Sequence, residues 1–213
     1  VHYYFKPGLS NLLAILLVSI GVLHHVSVKA GTTSVGSGTS TNKEEVINST
    51  QTIYNSGVAV SSFIGSKGIQ SISSGGLARG TQVSSGGRQD VNNGGIASDT
   101  LISNGGHNNI FSGGVASKTQ IFIGGTENIS GGSESGAFIY SGGSQKINNN
   151  GLASSGQING GGGQYIYVGG IDSGSQINAG GIQSISSGGV ARDTQINSAG
   201  SQRISSGGIA SGV

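Results

Sequence analysis

The sequence predicts an all-β chain wound as a parallel β-helix, a solenoid of about eight coils of 19 residues each. Three observations predict it. Glycine pairs return at alternating intervals of eleven and eight residues, beginning at Gly75, Gly86, Gly94, Gly105, Gly113 and Gly124 and continuing to Gly207. Two β-branched positions keep the same period: Ile64, Val83, Ile102, Ile121, Ile139, Ile158, Ile177 and Ile196 in one, and Ile72, Val91, Ile110, Ile129, Ile147, Ile166, Ile185 and Ile204 in the other. A repeat of this length cannot bury its own apolar face and must stack on its neighbours.

The first element lies before the repeats. Leu12 to Leu23 is a twelve-residue apolar run, preceded by Lys6 and followed by Val28-Lys29-Ala30. A membrane-spanning helix needs about 20 apolar residues, so this run reads as the helical core of a signal peptide covering residues 1–30, cleaved after Ala30. An uncleaved membrane anchor is the alternative. The chain opens with Val, which places the natural start upstream or at a non-standard codon. Residues 31–50 show no apolar period and read as a flexible lead-in. Residues 51–213 are the repeats.

Composition narrows the function. Of 213 residues 43 are Gly, about three times the usual share, and the phase of Ile and Val separates the chain from disordered Gly/Ser tracts. Beyond residue 30, eight Lys and Arg face eight Asp and Glu, so no basic stripe exists and nucleic acid is not an expected partner. Cys is absent, which removes disulfides and thiolate metal sites.

Aligned, the units give G-G-x-A-x-x-T-x-I-x-x-G-G-x-Q-x-I-x-x. β-Branched residues favour strands, and identical positions stacked at about 4.8 Å form ladders. The glycine pairs supply the positive φ of two tight corners per coil. Ala59, Ala78, Ala97, Ala116, Ala153, Ala191 and Ala210 form a small-residue row, with Glu134 and Asp172 as exceptions. Gln70, Gln89, Asn108, Gln145, Gln164, Gln183 and Gln202 form an amide row expected to face inward or to a corner and to be self-satisfied. Glu127 interrupts that row in the unit between Gly124 and Gly131, which is one residue short, so irregularity is expected from Gly124 to Gly132. Glycine pairs between strands also suit an antiparallel meander, but hairpins would set unlike repeat positions opposite one another. Strands of four or five residues are too short for a membrane barrel.

Units such as Gly94 to Ser112 and Gly188 to Ser206 resemble the strand-loop-strand repeats of autotransporter adhesin passengers of the diffuse-adherence type. The resemblance covers about Gln51 to Val213. It implies a right-handed β-helix, exported and displayed at the cell surface or outer membrane, serving adhesion, autoaggregation or biofilm formation. Its implied partners are host or bacterial cell surfaces and other copies of the chain. It also implies O-linked heptose, added by a heptosyltransferase, on serines before the glycine pairs: Ser74, Ser85, Ser112, Ser130, Ser141, Ser187 and Ser206. Members of the family continue into a translocator β-barrel. The present sequence ends inside a repeat at Val213 and reads as a fragment truncated before that barrel, or as periplasmic or secreted if complete.

Catalysis on such a scaffold, a carbohydrate-active enzyme above all, is the rival reading. It needs two carboxylates at matched separation. Asp90, Asp99, Glu127, Glu134, Asp172 and Asp193 are spread over separate coils and phases, and His107 has no obvious partner. Calcium repeats need Asp after the glycines, where apolar residues stand. No catalytic, metal or cofactor site is therefore expected, and the function is read as that of a non-catalytic surface module.

Overall fold

The structure, a computed structural model, describes residues 27–29 and 31–213. The signal-peptide helix and the Ala30 cleavage point lie outside the described residues. Every regular element described is a strand. The strands fall into three sheets of ten, and each coil contributes one strand to each sheet. Face I holds strands of two or three residues, such as Gln82–Val83. Face II holds strands of four or five, such as Arg88–Val91 and His107–Phe111. Face III holds strands of three, such as Ile96–Ser98.

Pairing between coils is parallel, and like positions lie opposite one another. Val83 pairs with Ile64 and Ile102, Val91 with Ile72 and Ile110, and Ala97 with Ala78 and Ala116. The antiparallel alternative is thereby ruled out. Both aliphatic rows are buried except at Ile196 and Ile204 in the last coil, and the Ala row packs with the face II aliphatics in one cluster. Alternate residues of a short strand point in and out, so one row from face I, two from face II and one from face III fill the interior.

The coil has three corners, one more than the glycine pairs mark. Between face III and face I the chain turns on one residue in the left-handed region: Lys43 (φ 55), Ser61 (φ 55), Gly80 (φ 63), Asp99 (φ 55), Lys118 (φ 55), Gly136 (φ 76), Ser155 (φ 53), Gly174 (φ 71) and Asp193 (φ 51). Short polar residues and glycine tolerate that conformation best, and they fill this position in every one of these coils except at Lys43 and Lys118. That enrichment was the available signal in the sequence.

Residues 31–50 are part of the solenoid, not a flexible lead-in. Thr32–Val35, Ser40–Asn42 and Glu45–Ile47 are strands, and Val35 and Val46 are buried below Ile53 and Ile64. Those aliphatic pairs are 18 residues apart, one short of the period, so a strict phase passes over them. Ser27–Lys29 pairs with Glu45–Ile47. The short coil at Gly124–Gly131 keeps its strand register: Ser130 pairs with Phe111 on one side and Asn148 on the other. Its missing residue is absorbed entirely at the next corner.

The two glycines of a pair answer different demands. In Ser73–Gly76, Ser74 (φ 48) and Gly75 (φ 82) are the centre of a type I′ turn closed by Gly76 N–H to Ser73 C=O at 2.8 Å. At the first position Ser56, Lys67, Asn150 and Ala199 replace glycine and still hold φ between 53 and 64. The first described coil has Thr39 and Ser49 at the second position, whereas from Gly57 onward it is glycine throughout, in Gly68, Gly151 and Gly200 too. A Cβ there would lie well inside 3.0 Å of the carbonyl of the buried aliphatic residue in the coil below: Ile53 for Gly76, Ile64 for Gly87, Ile72 for Gly95. Gly87→Ala is therefore expected to cost at least about 2–3 kcal/mol. Gly86→Asn, where a Cβ meets nothing within 4 Å, should cost about 1 kcal/mol or less. Urea unfolding midpoints of the two variants check this, and equal losses would refute the division of roles.

Candidate functional site

The interior is half polar. The amide row points inward, as expected, and runs as a head-to-tail ladder. Gln70 Nε2 donates to Gln51 Oε1 at 2.5 Å and Gln89 Nε2 to Gln70 Oε1 at 2.6 Å. Further along, Gln164 donates to Gln145, Gln183 to Gln164 and Gln202 to Gln183, at 2.7–2.8 Å. The Thr row also lies inside: Thr81 Oγ1 and Thr100 Oγ1 donate to the Oε1 atoms of Gln70 and Gln89 at 3.1 and 3.0 Å.

Carboxylates enter this interior at four points. Glu44 Oε2 accepts from Gln51 Nε2. Glu127 does not simply interrupt the ladder; it accepts from Asn108 Nδ2 on one side (3.0 Å) and Gln145 Nε2 on the other (2.8 Å). Glu134 accepts from the backbone N–H and the hydroxyl of Thr119 at 3.2 and 3.1 Å. Asp172 accepts from Ser175, Gln164 and Gln183. Two of these acids were expected in separate coils; instead Glu127 and Glu134 lie on consecutive strands of one coil and face each other electrostatically. Burial pushes the Glu127 carboxyl up, and burial together with the Glu127 charge pushes Glu134 well up. Burial raises Asp172 to about 6 against the hydrogen bonds of Ser175, Gln164 and Gln183. All four acids are buried, and Glu134 lies beneath a depression of face III bordered by Val115, Ser133, Leu152 and Ile171.

The serines predicted as acceptors divide into two groups. Ser74, Ser112, Ser187 and Ser206 are exposed at the corner between faces II and III, and Ser85 and Ser141 are exposed at the corner between faces I and II. Ser130 is different. Because the short coil lost its residue at this corner, Ser130 is the last residue of a strand, half-buried, and its hydroxyl accepts from Asn149 Nδ2 at 3.2 Å. Ser66 and Ser198 occupy the corner position and are exposed. A search for intact glycine pairs misses them, because Lys67-Gly68 and Ala199-Gly200 keep only the second glycine.

The outer surface carries continuous rows. On face III, Leu77, Ile96, Val115, Leu152, Ile171 and Val190 form an aliphatic row interrupted by Ser133, and Ile96, Val115 and Leu152 are 45, 44 and 48% exposed. Beside it runs a row of Ser98, Ser117, Ser135, Ser154 and Ser173. Face I carries an amide ladder of Asn159, Asn178 and Asn197 and the stacked rings of Phe122 and Tyr140, 4.9 Å apart.

Asp172 gives a test of the interior. Its folded form keeps the proton up to about pH 6, whereas the unfolded chain releases it near 3.8. Its contribution is therefore complete below 3.8, falls as pH rises, and is lost above 6, a difference of about 3 kcal/mol. Asp172→Ala restores the residue of the row, and Ser175 can then bond the amide row as Thr81 does. Subtracting the variant's urea stability from the parent's, between pH 3.5 and 7, should give a curve that falls with pH. A flat difference would refute the assignment.

No family model matches the chain, and no curated protein matches it. Among solved structures it is similar to the crystal structure of the TibC-catalysed hyper-glycosylated TibA 55–350 fragment, with a TM-score of 0.82 and 35% sequence identity. The likeness covers 88% of this chain and 73% of that one. That relative is an autotransporter adhesin passenger with the same 19-residue coils. Shared repeat length, shared course of the chain and this level of identity place the present chain in the family of autotransporter adhesin passengers.

Proposed function

We propose that the chain is a non-catalytic surface rod serving adhesion, autoaggregation or biofilm formation, with host or bacterial surfaces and further copies of itself as partners. The supporting observation is the repetition of the same outward side chains rung after rung on a rigid parallel stack, the half-exposed aliphatic row of face III included. One such rung contributes little; many identical rungs acting together give avidity without any single tight contact. Export through the inner membrane begins from the signal peptide, cleaved after Ala30. Cleavage there removes Ser27–Lys29, so the first rung of face I becomes Glu45–Ile47. Surface display, as in the family, depends on a translocator β-barrel.

The same proposal assigns O-linked heptose to Ser74, Ser85, Ser112, Ser141, Ser187 and Ser206, added by a heptosyltransferase. The relative in the comparison is itself glycosylated by TibC catalysis. An attached sugar must lie outside the folded coil, a condition the exposed corners meet and half-buried Ser130 does not. Ser130 is accordingly expected to stay unmodified or to carry the least sugar, while Ser66 and Ser198 join the acceptors.

Two measurements test the proposal. Displayed on cells through a fused barrel, a passenger lacking half its coils should settle several-fold more slowly than the full rod, and an unchanged settling rate would refute the multivalent reading. After co-expression with the transferase, intact mass should rise in multiples of one heptose, with the sugar mapping to the corner serines. An unshifted mass, or sugar concentrated on Ser130, would refute the modification.

A further inference from the structure

The polar row of the interior is two ladders, not one. In the first, Gln89 donates to Gln70, Gln70 to Gln51 and Gln51 to Glu44. In the second, donation runs from Gln202 through Gln183, Gln164 and Gln145 to Glu127. Within each run every glutamine donates to its neighbour on the N-terminal side, and each run finishes on a carboxylate, a group that only accepts when ionised. Between the runs the pattern fails. Asn108, one methylene shorter than glutamine, makes no hydrogen bond to Gln89, donates in the opposite direction to Glu127, and leaves its buried Oδ1 without a partner. Thr119, whose counterparts Thr81 and Thr100 bond the amide row, turns to Glu134 instead. The same coil lacks one corner residue at Ser130–Gly132.

We propose that this short coil is a proton-held joint, dividing the solenoid into two cooperative blocks that loosen from each other when the Glu127–Glu134 pair gives up its proton. Among the described residues the interior supplies no cation to replace that proton. Glu127 is flanked by neutral Asn108 and Gln145, and Glu134 by Ala116 and Ala153. The inward residues of the facing strands are Ile121 and Ile139. His107, Lys118 and Lys146 belong to adjoining segments and are exposed to solvent. Asp172, two coils further on, adds another negative group. With the pair fully ionised, two like charges lie buried at the point where the ladder is already broken and the corner is short.

Because the carboxyls are raised, the folded chain holds a proton that the unfolded chain releases near 4.5. Stability is complete below that pH and falls above it, by a factor of ten in the folding constant per pH unit for each proton held. The variant Glu127→Gln/Glu134→Ala restores the consensus residue in both rows. Urea unfolding of the whole chain from pH 4.5 to 9 should show the parent's folding constant falling about tenfold more steeply per pH unit than the variant's over the range in which the pair holds its proton. Hydrogen exchange, corrected for intrinsic rates, should divide the parent at pH 9 into two protection levels with the boundary at residues 108–134, merging into one at pH 5. The variant should show one level at both. Identical pH slopes, or a single level in the parent at pH 9, would overturn the proposal. Glu134→Gln, which keeps volume, accepts the Thr119 N–H at its carbonyl and donates its amide to the Thr119 hydroxyl, is the second variant and answers to the same criteria.

Discussion

A backbone carbonyl from the coil below occupies the space where the second residue of each corner pair would place a Cβ, and this close approach governs the remainder of the molecule. It holds successive coils at strand spacing at the corners as well as along the faces. Corner N–H groups therefore bond the next coil directly, as Gly94 does with Gly113 and Gly142 with Gly161. Because the contact recurs at a fixed place in the coil, it also fixes which residue lies over which. Isoleucine falls on isoleucine, alanine on alanine and glutamine on glutamine, and the ladders follow from that register.

Such strict stacking makes an unusual interior possible. In a globular core a buried glutamine needs a dedicated partner; here the next copy of the same residue provides it. The arrangement has a direction, however, because each amide passes its donor to one side only. A run must therefore finish on a group that accepts without donating, and Glu44 and Glu127 do so. Glu127, which looks like a defect in the repeat, is the end of a hydrogen-bond chain, and it brings a carboxyl into an interior that holds no cation among the described residues.

On the outside, the same register turns single residues into rows. The half-exposed aliphatics of face III and the serines beside them border an open depression where Ser133 interrupts the aliphatic row, between Val115 and Leu152, and they recur rung after rung. Membership of the autotransporter adhesin passengers accords with a molecule that presents the same side chains rung after rung along its outside. Corner hydroxyls extend that surface further, since a substituent placed there meets solvent, not the neighbouring coil.

Much of this was legible in the residues alone: the period, the two β-branched rows, the inward amides and the parallel sense all rest on spacing, which stacking translates directly into contact. The third corner was less visible, because a single left-handed residue can be Gly, Asp, Ser or Lys and leaves no pair to find. Val35 and Val46 escaped because an 18-residue step breaks a 19-residue count while costing the strands nothing. Only the tertiary structure could separate the two glycines of a pair, bring Glu127 to Glu134, and set Ser130 apart from the other serines. Each of these depends on what lies one coil below or across the interior, and a linear repeat carries no record of that distance.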